Sequence, residues 1–217
     1  MGMFGHATGN FQGLPKSLGT MLVRAGTIQI SNRQLENVLN QVENVTPKIR
    51  NLVSGRSQAH LTTSIELTSW SVAQCLDHLA QTTNVFLPAI SAAIARAPRL
   101  TTNRALKTGA LTLLFLRNLE PPYLLRFKVL APLVPRQHDF NSAWAAFEQS
   151  QAQLAKTIQS ALGLAVDQVR VESPVYARFS YNVYGALRML AAHERRHLWQ
   201  IERILKALDG AQPRNPS

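Results

Sequence analysis

The stretch Tyr181-Asn182-Val183-Tyr184-Gly185-Ala186-Leu187-Arg188-Met189-Leu190-Ala191-Ala192-His193-Glu194-Arg195-Arg196-His197-Leu198-Trp199-Gln200-Ile201-Glu202-Arg203-Ile204-Leu205-Lys206-Ala207-Leu208 decides the fold class. Taken at steps of three and four, Val183, Ala186, Leu190, His193, His197, Ile201, Ile204 and Leu208 form one continuous row. That spacing predicts a long amphipathic helix, and it places two imidazoles at the centre of the face turned to the core. Residues at i and i+4 lie roughly 5–6 Å apart on one helical face. Such a gap suits two nitrogen ligands closing on one metal ion at about 2.0–2.1 Å each. On spacing alone a pair of satisfied core histidines is the commoner arrangement, and a third ligand has to come from elsewhere in the chain.

The run His193-Glu194-Arg195-Arg196-His197 also matches the letters of H-E-x-x-H, in which the Glu serves a zinc protease as general base. The match is formal, because two adjacent arginines tend to hold that glutamate in an ion pair.

Upstream of this helix the same reading predicts three more. Leu35, Val38, Leu39, Val42, Val45, Ile49 and Leu52 keep helical spacing, with Ser31 or Asn32 placed to cap and Ser54-Gly55 placed to stop helix one. Ser71-Val72-Ala73-Gln74 is a capping box opening helix two, with Trp70 and Cys75 positioned as its hydrophobic staple. Val72, Cys75, Leu76, Leu79, Phe86, Ile90 and Ile94 mark the buried face of helix two, His78 lies on the edge of that face, and Pro98 follows the stop near Arg96. Pro47 and Pro88 predict a kink or restart inside helices one and two. Trp144, Phe147, Gln151, Leu154, Ile158 and Ala161 give helix three over about Ser142 to Ala161. Ser180 is the expected cap of helix four, with Phe179 stapling onto Tyr184. Helix four is expected to end at Asp209-Gly210.

Residues Pro98 to Asp139 form a long connection with Pro121-Pro122, Pro132 and Pro135, containing a short helix over Ala110 to Arg117. A link of that length can carry the chain back along a bundle. The predicted fold is therefore all-α, a four-helix bundle with a long crossover connection between helices two and three, and no run of period two competes with it. The domain is expected over residues 31–210, preceded by a Gly-rich irregular arm over 1–30 and followed by a disordered tail over 211–217.

The chain has 217 residues, enough for one substantial core without disulfides. Its one cysteine, Cys75, excludes an intramolecular bridge and lies on an apolar stripe, where a thiol is ordinarily inert packing. Met1 to Gln12 lacks the apolar segment of a secretory signal, and the longest apolar run, Ala110 to Leu116, is far short of the roughly 20 residues needed to cross a bilayer. A soluble cytoplasmic protein with no membrane partner is expected. The net charge of +11 invites a nucleic-acid reading. The bases are densest from Arg96 to Arg136, opposed there only by Glu120, but they form no continuous tract and no reading motif accompanies them. A small anionic partner fits this scatter better than a duplex.

Trp70-Ser71-Val72-Ala73-Gln74-Cys75-Leu76-Asp77-His78-Leu79 and His193-Glu194-Arg195-Arg196-His197-Leu198-Trp199-Gln200-Ile201 together resemble the DinB/YfiT-like family of bacterial four-helix-bundle metalloproteins. The proline-containing connection and the Phe140-Asn141-Ser142 start of helix three fall in that family's order, and the resemblance spans about Ser31 to Leu208. It implies a metal triad of His78, His193 and His197 holding a divalent ion: zinc, nickel or iron. It also implies a thiol-dependent S-transferase or isomerase that takes a low-molecular-weight thiol and a small electrophile, with anionic substrates met by Arg195, Arg196 and the bases of the connection. Tyr181, Tyr184 and Gln200 lie near enough in sequence to add hydrogen bonds. The alternative is a metal-binding structural or interaction module without turnover, and a basic nucleic-acid-binding protein ranks third. Apolar side chains between Ala110 and Val134 lead us to expect a homodimer.

Overall fold

The structure is a computed structural model, and it describes residues 22–24, 27–29, 32–66, 68–122, 128–136, 139–176 and 178–211. Helix one of the sequence reading is two helices, α1 (Arg33–Glu43) and α2 (Val45–Val53). Asn32 caps α1, its side chain accepting from the Gln34 amide at 2.9 Å. The restart comes at Asn44, so Pro47 falls in the first turn of α2, where a missing N–H costs nothing. Gly55, just past α2, takes the left-handed conformation with φ +73°, as its position after a helix requires. A short helix, α3 (Gln58–Thr62), then follows, capped by Ser57 and too short to show a period in the sequence.

The capping box forms as expected at the start of α4 (Val72–Ile94), which runs through Pro88 without breaking. α5 (Ala110–Leu119) is the helix anticipated in the connection, and a 3₁₀ turn at Ala131–Leu133 follows it. α6 (Phe140–Ala161) is capped by Asp139, which accepts from the Ser142 amide at 2.8 Å.

The fourth bundle helix, α7, spans Val183–Ala211. Its cap corrects the expectation of Ser180: the Asn182 carboxamide oxygen accepts from the Gly185 amide at 2.8 Å. Ser180 lies instead in a strand. Among the described residues four three-residue strands make two antiparallel pairs, β1 (Leu22–Arg24) with β2 (Thr27–Gln29) and β3 (Arg170–Glu172) with β4 (Ser180–Asn182). Three residues are too few to show alternation, which is why no strand was legible. The first pair falls within the arm of residues 1–30; the remainder of 1–30 and residues 212–217 lie outside the described part. Phe179 packs edge-on to Tyr181 at 5.6 Å between ring centres.

α4 packs most extensively along α6, α7 lies against α4, α5, α1 and α2, and α1 also crosses α6. The interior is two apolar clusters separated by a polar layer. One cluster joins Leu35, Leu87, Ile90, Leu154, Ile158 and Leu187; the other joins Ile49, Leu76, Leu79, Phe147, Ile201 and Leu205. Between them on α4, α6 and α7 lie the buried polar residues Asp77, His78, Thr82, Thr83, Ser150, Gln151, Glu194, Arg196 and His197. Burying each large aliphatic side chain contributes about 1.5–3 kcal/mol, and a polar layer forgoes that gain. Its retention across mid-bundle marks where the chain does something other than fold.

Candidate metal centre

His78 reaches the layer from α4, and His193 and His197 reach it from successive turns of α7. His78 Nε2 lies 3.1 Å from His193 Nε2, and His193 Nε2 lies 3.0 Å from His197 Nε2. All three ligand atoms fall within 4.8 Å of one another. Two nitrogens held about 2.0–2.1 Å from one ion and 3.0–3.1 Å apart subtend an angle of roughly 95°, within the range of ordinary metal coordination.

The tautomer of His78 is set by its surroundings. Its Nδ1 lies 2.6 Å from the Leu133 carbonyl oxygen of the 3₁₀ turn, so Nδ1 carries the proton and donates, leaving the Nε2 lone pair aimed at the cluster. Burial lowers the pKa of His78, against smaller opposing effects from the Leu133 bond and the Asp77 charge. His193 and His197 are held well below the ordinary imidazole value, first by burial and then by the neighbouring imidazoles and the Arg196 charge. Gln200 acts in the other direction on His197. Near neutrality the three rings are therefore uncharged and able to act as ligands.

Trp70 is the residue whose role the sequence understated. Besides packing on the core cluster that contains Cys75, its ring lies 4.7 Å from His78 and 5.9 Å from His197, nearly parallel to the latter. It covers two of the three imidazoles. His78 and His197 are 4 % and 5 % exposed, and His193 is the least buried of the three. Among the described residues no further His, Cys, Asp or Glu joins the three.

The remaining candidates disperse. Cys75 is fully buried, and burial pushes its thiol far above the range in which thiolate forms, so it packs and does not ligate. Glu194 is 1 % exposed and accepts from Gln151 Nε2 of α6 at 2.8 Å; burial pushes it up to about 8. It is protonated near neutrality and unsuited to the general-base role of the H-E-x-x-H motif. Arg196 is buried, donates to the Asn118 carbonyl at 3.0 Å and projects its charge onto His193 and His197. Arg195 turns to the opposite side of α7, where it pairs with Glu120 and donates to Gln41 Oε1 at 2.6 Å. Tyr184 also faces that side, and Tyr181 is buried in the first cluster. Leu133 was missed as a site residue, because it lies in a segment without periodicity.

These residues fit a divalent ion, since three neutral imidazole nitrogens form a donor set suited to zinc, nickel or ferrous iron. The DinB superfamily matches residues 41–201, well over half of the chain, and the chain belongs to that superfamily. No curated protein and no solved structure matches it significantly.

Proposed function

We propose that this member of the DinB superfamily is a metal-dependent enzyme that uses a small thiol to transfer sulfur to, or isomerise, a small electrophile. The single observation that carries the metal half is the convergence of three Nε2 atoms, with the Leu133 carbonyl fixing the tautomer of one of them. A divalent ion held there supplies Lewis acidity, which favours thiolate over thiol.

The chain's own residues support an open site for an anion. His78, His193 and His197 leave coordination positions for exogenous ligands, as catalytic zinc sites do. Arg196 places a positive charge near the cluster without entering it, which favours an anion over a cation there. Trp70 shields His78 and His197 from water, so a ligand enters beside His193.

The test is elemental analysis of untagged protein followed by calorimetric titration of metal-loaded protein with L-cysteine and glutathione, then turnover on a chloronitroaromatic electrophile. One ion per chain, lost in His193→Ala, together with saturable thiol binding is the expected result. A retained ion with no thiol binding would establish a metal-binding module without turnover instead.

A further inference from the structure

On α7 a step of about 100° per residue puts Tyr184, Arg188 and Arg195 on the side opposite His193 and His197. There α7, α1 and α5 border a cavity of ≈ 370 Å³ with mainly polar walls. Its floor is Tyr184, only 5 % exposed. The phenol oxygen accepts from Gln34 Nε2 at 3.2 Å, and Gln34 is otherwise committed to the backbone of Leu106 through bonds of 2.6 and 3.3 Å. Burial raises the Tyr184 pKa, so the hydroxyl keeps its proton, and that proton has no acceptor among the described residues.

The charges in the cavity do not cancel. Arg195 and Glu120 pair with each other, and Arg195 also donates to Gln41 Oε1, leaving the Gln41 amide nitrogen as a donor. Arg188 has no carboxylate partner among the described residues. Its Nη1 donates to Thr108 Oγ1 at 2.9 Å and its guanidinium carbon lies 5.6 Å from the centre of the Tyr184 ring. One unopposed guanidinium beside one free phenol proton fits the two oxygens of a planar carboxylate. A phosphate dianion would bring a second negative charge next to Glu120, which disfavours it. The Glu120 carboxylate and the amides of Asn37 and Gln41 suit hydroxyl or amino groups on the rest of the ligand.

We propose that this cavity binds a small monocarboxylic acid bearing hydroxyl or amino groups, at a site separate from the histidine cluster. The inference does not rest on metal binding. It is tested with chelator-treated full-length protein titrated with sodium gluconate and L-serine, with glucose as the uncharged control and inorganic phosphate as a second anion, followed by amide chemical shifts and calorimetry. The expected result is saturable binding of at least one of the two acids, with shifts centred on Tyr184, Arg188 and Gln41 and none with glucose. Tyr184→Phe and Arg188→Gln should each weaken binding by about tenfold or more, because each removes a hydrogen bond to a charged acceptor. Both variants should retain wild-type helical signal and metal content. The proposal is overturned if neither acid saturates at tens of millimolar, if phosphate binds there as tightly, if both variants bind like wild type, or if the shifts centre on His193 and His197.

Discussion

Replacing His193 with alanine separates two consequences of burying three imidazoles together, because its Nε2 is the atom common to both short contacts. The first concerns protons in metal-free protein. All three pKa values lie below the ordinary imidazole value, first through burial. The unfolded chain therefore takes up protons near pH 6.5 that the native chain accepts only at lower pH. The triad's contribution to stability is complete above about pH 6.5 and is lost as pH falls through the depressed native values. Each imidazole steepens that loss by at most about 1.4 kcal/mol per pH unit. His193→Ala should make the acid limb shallower by up to that amount, while the removal of one of three crowded rings changes stability little near neutrality. The second consequence needs metal. At free ion about 100-fold above Kd, wild-type protein gains about 2.7 kcal/mol, which for a domain of this size is roughly 5–11 °C in Tm. The variant should lose most of that gain. Thermal melts followed by circular dichroism between about pH 5 and 8, with chelator or with zinc, measure both effects. An unchanged acid slope together with an undiminished zinc shift in His193→Ala would refute the assignment of this atom to the centre.

Other consequences follow from the packing. Asp167 receives two bonds from the Arg104 guanidinium at 2.7 and 2.8 Å and one from the Lys107 amide at 3.1 Å. Burial works to raise its pKa, but these bonds and the Arg104 charge outweigh it and hold the carboxyl below its ordinary value. Its stabilisation is present above about pH 4 and lost as pH falls through the depressed value, and Asp167→Asn should cost about 1.5–3 kcal/mol in urea melts at neutral pH. A Cβ on Gly185 would sit 3.0 Å from both Asn182 Oδ1 and Thr112 Cγ2. Gly185→Val should therefore destabilise by about 1–3 kcal/mol by loosening the α7 cap and the α5 contact, and a wild-type denaturation midpoint would count against that packing. Leu111, Leu113 and Leu114 on α5 are 60 %, 47 % and 60 % exposed. If, as we propose, they face a second copy of the chain, light scattering at micromolar concentration reads a dimer, and Leu111→Glu with Leu114→Glu gives a monomer of unchanged helicity. A monomeric wild-type mass would exclude this role.

Much of the architecture was readable because helices declare themselves locally. The 3.6-residue period of α7, the Ser71–Gln74 box and the spacing of α6 depend on residues within a few positions of one another. The break at Asn44 and the three-residue strands were not readable. A restart can fall on either side of a proline, and a strand of three residues gains its partner only from across the fold. In the same way Asn182, and not Ser180, caps α7, because β4 runs on through Asn182 and the helix begins only at Val183.

The amino-acid sequence by itself determined that His193 and His197 share a face, since one helical turn separates them whatever surrounds the helix. It also pointed to His78, through the resemblance of the segments around it. Only the tertiary structure decided that an α4 side chain meets this pair, that the Leu133 carbonyl selects the His78 tautomer, and that Trp70 covers two of the rings. It decided as well that adjacent arginines serve different places, Arg196 near the triad and Arg195 in the groove with Glu120. The physical reason is range. Periodicity records which side chains share a face, whereas the partner, the proton and the charge each depend on which distant segment packs against that face.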